Sequence, residues 1–415
     1  MVVGIIAEYN LFHNGHALQL DYARKTLGAD KIIVALSPDF TQRGEIAILS
    51  KYERARIALE LGVDLVVQIP VNSATDSSLG YAYGSIKVLD SLGVIDTLLF
   101  SAEDDNIDIL SKIAEIELEE NEAYTNAINS SLTQGDSYPM ARENAILESI
   151  KTSNPEIQSN IVAKILSKPN NILAIEYLKA LRLINSTITP VCMKRTGSSY
   201  NDKVIKGSIA SASAIRNAIK NNELEHVEPV VPSMAYNLYK KCYSNSEFLY
   251  PNDISLMLGY KLLEGDFTIY KDCNEELSNK ISNELSNYTN MTSFRSLIKS
   301  KNITESRISR VLCHILLNIT NELYIECNGK VYPHIPYILI LGFNYEGASL
   351  MNQIKSNHTL PYFTSINDAL NYDFNVRERA VLEADIHATS VSNLILANKT
   401  NSIITSEQSR LFLKV

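Results

Sequence analysis

The chain has 415 residues, 45% of them hydrophobic and 20% charged, with no Trp and 22 Tyr. That length exceeds one typical core and predicts two or three domains, while no uninterrupted apolar run is long enough to span a bilayer. The net charge of −9 at pH 7 excludes a broadly basic nucleic-acid coat but leaves room for a local cluster of cations.

The first predicted element is an apolar strand, Val2-Val3-Gly4-Ile5-Ile6, entered without the basic region, apolar stretch and cleavage site of a signal peptide. Five cysteines, Cys192, Cys242, Cys273, Cys313 and Cys327, are scattered and form no CxxC pair. Both features read as a cytoplasmic chain without a disulfide framework or zinc site. The strand runs into Ala7-Glu8-Tyr9-Asn10-Leu11-Phe12-His13-Asn14-Gly15-His16, a strand-to-helix turn with two histidines three positions apart. Free N–H groups and the helix dipole at such a turn favour anions. Gly15 keeps a Cβ out of the path of a phosphate, and two imidazoles there donate to phosphate oxygens as charge develops. The bland alternative is a pair of core histidines at a helix start. Asn14 also reads as a plain turn residue.

Residues 31–36 read as a buried strand, followed by a polar loop and a helix over about 51–61. Strands at 64–69 and 97–100 flank a helix over 79–92. Continuous apolar strands joined by amphipathic helices predict an α/β domain with a parallel sheet and right-handed crossovers. Residues from about 104 to 184 read as mostly helical, with Asn170 or Asn171 capping a helix after Pro169. A late strand at 189–193 runs into Lys194-Arg195 and a Gly/Ser/Asn-rich loop to about Ser208, and a short helix begins near Ser211. A boundary is marked by Glu228-Pro229-Val230-Val231-Pro232. Beyond it the pattern is helical, polar and Tyr-rich until an apolar stretch at 331–343.

Five segments stand out in order. They are Glu8-Tyr9-Asn10-Leu11-Phe12-His13-Asn14-Gly15-His16; Phe40-Thr41-Gln42-Arg43-Gly44-Glu45; Pro169-Asn170-Asn171-Ile172-Leu173; Lys194-Arg195-Thr196-Gly197 with Tyr200 following; and Ser211-Ala212-Ser213-Ala214-Ile215-Arg216. Together they resemble the bacterial tRNA-methionine cytidine acetate ligases, within the wider HxGH nucleotidyltransferase-like superfamily. One HxGH alone is a weak signal, and five ordered motifs are a strong one. The chain departs from the family at Leu11, usually Pro, and at Ser101-Ala102-Glu103, usually Gly-Ser-Glu. The segment from about 104 to 168 is longer than expected, and Ser300-Lys301-Asn302 is less basic.

The resemblance implies an α/β fold: a Rossmann-like parallel-sheet nucleotidyltransferase domain over residues 1–225, followed by a mostly helical tRNA-binding C-terminal domain over 226–415. It implies a two-step ligation, in which ATP and acetate give acetyl-adenylate and pyrophosphate. The acetyl group then passes to N4 of the wobble cytidine of elongator tRNA(Met). Mg²⁺ accompanies ATP, with no residue standing out as its ligand. His13 and His16 are the implied catalytic pair. The implied ATP site comprises Ile6, Ala7, Glu8, Tyr9, Asn10, Phe12, His13, Asn14, Gly15, His16, Ser101, Asn170, Arg195, Ser213 and Arg216. Arg43 is a candidate for acetate or phosphate, or else a strut to Glu45. The tRNA patch runs from Phe294 to Arg310, with Arg295, Lys299, Lys301, Arg307 and Arg310 against one acid, Glu305. A solvated helix face is the plain alternative for that patch. Two rivals stay open: a nucleotidyltransferase for a small phosphorylated metabolite, and a non-catalytic nucleotide- or RNA-binding module.

Overall fold

The structure, a computed structural model, describes residues 1–154, 157–195, 205, 207, 209–300, 303–327, 329–410 and 412–415. Strand and helix alternate at first: β1 (Val2–Ala7), α1 (Asn14–Asp21), β2 (Lys31–Leu36), α2 (Lys51–Glu60), β3 (Leu65–Gln68), α3 (Val71–Ala74), α4 (Ser78–Ser91) and β4 (Thr97–Ala102). Helices α5 (Ile107–Glu119), α6 (Glu122–Thr133), α7 (Tyr138–Ser153), α8 (Ser159–Leu166) and α9 (Pro169–Leu183) then lead to β5 (Thr189–Lys194). A helical stretch follows: α10 (Ala212–Lys220), α11 (Ser233–Ser244), α12 (Ser255–Leu262), α13 (Glu275–Glu284), α14 (Met291–Leu297) and α15 (Glu305–Leu317). The chain closes with a hairpin of β6 (Tyr324–Cys327) and β7 (Lys330–Pro333), then β8 (Ile338–Phe343), α16 (Ala348–Asn357), β9 (Tyr362–Phe363), α17 (Ile366–Leu370), α18 (Val376–Thr400) and β10 (Leu413–Lys414).

The first five strands are parallel, in the order β3-β2-β1-β4-β5. The chain moves outward from β1 on one side, then returns to its other side. Such a switch point opens a crevice at the carboxyl end of β1, between the loops after β2 and β4. The apolar runs fit a sheet covered on both faces. Ile32, Val34 and Leu36 enter one core, and Ile33 and Ala35 the other, the alternation that a pleated strand requires.

The sheet continues past β3. Strand β8 pairs antiparallel with it, with Leu65 opposite Phe343, and β9 and β10 run parallel to β8. The division expected near residue 226 is therefore not a division of the sheet, because strands from the second half cover an edge that β3 would otherwise expose. The core on one face also runs across both halves and joins Phe40 and Ile48 to Ile308, Leu312 and Val381.

Local chemistry sets the helix starts near the crevice. The hydroxyls of Ser50, Ser77 and Ser211 accept the N–H of Glu53, Gly80 and Ala214 at 3.3, 3.3 and 3.1 Å, standard N-caps. Helix α9 differs from the expectation that Asn170 or Asn171 caps it. Pro169 takes the first helical position, where its missing N–H costs nothing, so both asparagines fall inside the first turn. There Glu103 accepts from Asn170 Nδ2 at 2.6 Å and from the Asn171 N–H at 3.1 Å.

Helix α18 is held to the sheet by a buried polar cluster. Asp385 accepts from the Val71 N–H at 2.6 Å and from the Tyr337 hydroxyl. Burial nonetheless pushes its carboxyl up to about 6, from an ordinary value of 3.8. The folded protein thus keeps a proton that the unfolded chain releases, so this contribution to stability is full below pH 3.8 and is lost as pH rises to about 6. The loss amounts to about 3 kcal/mol at 1.36 kcal/mol per unit. Asp385→Asn is expected to flatten the decline in urea midpoint between pH 4 and pH 7. An unchanged slope would rule Asp385 out as its source.

Candidate active site

The ends of β1, β2, β4 and β5 surround one cavity of about 780 Å³. The turn after β1 supplies Ile6, Ala7, Glu8, Tyr9, Asn10, His13, Gly15 and His16 to its lining. Ser101 comes from β4, Asn170 from α9, Arg195 from the end of β5, Ser213 and Arg216 from α10, and Arg43 from the loop after β2. Two expected ATP residues are not brought to the cavity wall. Phe12 is fully buried beneath the turn, with its ring 5.3 Å from that of His16. Asn14 donates from Nδ2 to the Pro229 carbonyl at 3.1 Å.

The two histidines form one unit. Their rings stack with centroids 3.7 Å apart and 15° between planes. His13 sits at the N-cap of α1 and His16 at its third position, so the spacing places one ring over the other. Gly15 is required by this stack, since a Cβ there would lie 2.9 Å from His13 Cε1. The His13 backbone N–H donates to His16 Nδ1 at 3.3 Å. The His16 proton therefore resides on Nε2, free to donate to a ligand. His13 Nδ1 is buried and has no hydrogen-bond partner.

Burial, aided by Arg195 and Arg216, pushes His13 down to about 3. Burial, with His13 and Arg195 beside it, holds His16 well below the usual imidazole range. Both rings are neutral donors, and the positive charge facing them belongs to the arginines. The Arg195 N–H extends the β4–β5 pairing to the Ala102 carbonyl at 2.7 Å. Arg216 donates to the Asn10 carbonyl and, at 3.3 Å, to Ser213 Oγ, which ties α10 to the turn after β1. The arrangement suits a polyphosphate: two cations, two neutral donors and the start of α1 converge on one space.

One organising residue was not identified from the sequence. Arg54 of α2 is 1% exposed. It donates to Leu49 O at 3.0 Å, Glu8 O at 2.6 Å, Ser37 O at 3.0 Å and the Pro38 carbonyl. It thereby joins the ends of β1 and β2 across the crevice floor. The signal was its place on the apolar helix face with Ile57, Ala58 and Leu61, a position that a surface arginine would not take.

The second half builds the opposite wall. Arg295, Glu305, Ser306, Ser309 and Arg310 all face the cavity. Ser309 Oγ donates to Gly44 O at 3.2 Å. Gly44 has φ +68°, and a Cβ there would lie 2.5 Å from the Arg310 backbone. Gly44→Val is expected to lift this loop from α15, with about 1–2 kcal/mol lost to the left-handed backbone alone and more to the clash. A lowered melting temperature would register it, and an unchanged one would show that the loop and α15 are not in contact.

The expected tRNA patch is partly neutralised. Arg295 pairs with Glu45 at 2.8 Å and Glu305 at 3.1 Å. Lys299 reaches Glu305 at 3.8 Å, and Arg307 donates to the Asp272 carbonyl at 3.0 Å. Lys301 lies outside the described residues. Among the described residues no group of three or more His, Cys, Asp or Glu side chains is arranged to hold a metal, and no helix is long and apolar enough to cross a membrane.

Residues 1–407 match the family model described as HIGH Nucleotidyl Transferase. The tRNA(Met) cytidine acetate ligase of Thermoanaerobacter sp. (strain X514) is 37% identical over 402 residues, covering 96% of each chain. That of Clostridium perfringens (strain ATCC 13124) is 34% identical over 397 residues, covering 95% of each. A crystal structure of Thermotoga maritima TmcAL in its apo form covers 100% of both chains with a TM-score of 0.88 and 27% identity. A second, bound with alpha-thio ATP, gives 0.87 and 28%, again over 100% of both chains.

Proposed function

The chain belongs to the tRNA(Met) cytidine acetate ligases, ATP-dependent enzymes among the HIGH nucleotidyl transferases, and from that membership we propose that it acetylates N4 of the wobble cytidine of elongator tRNA(Met) through acetyl-adenylate. The observation that carries this reading is the stacked His13–His16 pair at the switch point, facing Arg195 and Arg216 in one cavity.

In the first step an acetate oxygen attacks the α-phosphorus of ATP. The α-phosphorus bond to the bridging oxygen breaks, and pyrophosphate leaves. His16 Nε2–H and the His13 ring donate to the α-phosphate oxygens as their charge rises, while Arg195 and Arg216 hold the phosphates. This is positioning and electrostatic stabilisation without a covalent enzyme intermediate. Mg²⁺ bound with ATP would supply neutralisation of charge on the leaving pyrophosphate. In the second step the cytidine N4 amine attacks the acetyl carbon, AMP leaves and the amine gives up a proton. Residues 1–225 carry activation, and 226–415 hold the tRNA, with the anticodon loop reaching the cavity past α15. Five free cysteines agree with work in the cytoplasm.

The test is acetylation of elongator tRNA(Met) by purified protein with ATP, Mg²⁺ and labelled acetate. N4-acetylcytidine at the wobble position is the expected product. ATP cleavage only with a phosphorylated metabolite, the tRNA staying unmodified, would replace this reading with the small-metabolite transferase.

A further inference from the structure

We propose that Arg310 of α15 is the receptor for the carboxylate of the acyl substrate, so that the second half of the chain completes the acid-activation site as well as holding RNA. This rests on the acetate-activating reading above. The residues suited to ATP phosphates lie at the turn after β1 and on the β4–β5 side: His13, His16, Arg195 and Arg216. The cavity also extends to the β2 side, where Gln42, Ser77, Tyr81 and Arg310 line it.

Arg310 stands apart from the other arginines of α14 and α15. Arg295 is neutralised by Glu45 and Glu305, and Arg307 is bonded to the Asp272 carbonyl. Among the described residues no hydrogen bond or ion pair holds the Arg310 side chain, and its Nε is shut off from solvent without a partner. Burial disfavours its charge, with Asp272 and Asp76 compensating in part. Arg310 is half-buried and lines the cavity, and a partly desolvated cation without a counter-ion is costly unless an anion completes it.

Of the anions in the proposed reaction, acetate fits this place. It must share a cavity with the α-phosphorus that it attacks, and Arg310 lines that cavity. One carboxylate oxygen bound to Arg310 leaves the other to attack. The cation also offsets repulsion between acetate and the phosphates.

The experiment is acetate-dependent ATP–pyrophosphate exchange without tRNA. Arg310→Met is expected to raise the acetate KM about 10–100-fold, as for loss of one charge-assisted hydrogen bond, with the ATP KM nearly unchanged. Arg310→Lys keeps charge and bulk and is expected to fall between, with a wild-type melting temperature, so that a folding defect in the Met variant does not hide the result. An unchanged acetate KM in both variants overturns the proposal, and a raised tRNA KM beside it in the full acetylation assay would assign Arg310 to an RNA phosphate. Failure of the wild type to exchange pyrophosphate in response to acetate would instead defeat the ligase reading.

Discussion

His16→Ala is expected to slow acetate-dependent pyrophosphate exchange by about 10²–10³-fold, or about 3–4 kcal/mol of barrier, as for removal of one oxyanion donor. The His16 Nδ1 is occupied by the His13 N–H, so Nε2–H is the only proton this ring can give. A neutral ring that charges little on binding discriminates the transition state from bound ATP, so the loss should appear in kcat and leave the ATP KM nearly unchanged. The melting temperature is expected to stay close to that of the wild type. A variant that exchanges pyrophosphate at the normal rate would show that the stacked pair is merely structural.

Lys51→Met is expected to cause the largest loss of stability, about 3–5 kcal/mol, the cost of breaking a buried ion pair. Lys51 and Glu407 are each 1% exposed and lie 2.6 Å apart. The ammonium also donates to Gln68 Oε1 at 2.7 Å and Thr389 Oγ1 at 2.9 Å, so its three protons are all used. Without it Glu407 keeps, among the described residues, the Tyr52 hydroxyl at 2.8 Å. The double variant Lys51→Met/Glu407→Leu is expected to recover much of the loss, because no charge is then left buried. Urea unfolding of the two variants checks both values. A single-variant loss below about 1 kcal/mol would mean that the pair is solvated.

The parallel core was legible because its strands announce themselves: Lys31–Leu36 is apolar almost throughout, as a strand covered on both faces must be. The role of β8 was not. Its apolar residues were visible, but nothing local in 331–343 says that Ile340 lies opposite Val67, a pairing set by the tertiary fold. The motif residues around His13 and His16 stand out in the sequence because they lie within a few positions of one another, and the structure brings the two rings into one stack. Arg295 read poorly because its partner Glu45 is distant in sequence, so a paired strut resembled a free surface cation. Arg54 was overlooked because its four acceptors are backbone carbonyls, which no sequence displays.

The insertion of β8 beside β3 also bears on how the molecule is made. A ribosome that has released residue 225 has delivered β1–β5 and every group proposed to hold ATP. Yet β3 still ends the sheet, its ladder open until Ile338–Phe343 emerge. An open apolar edge recruits strands from other chains, and pairing across so long a stretch is slow. The nascent protein's hazardous interval is thus set by the time needed to translate the helices between β5 and β8, and slower elongation over that stretch would lengthen its dependence on chaperones.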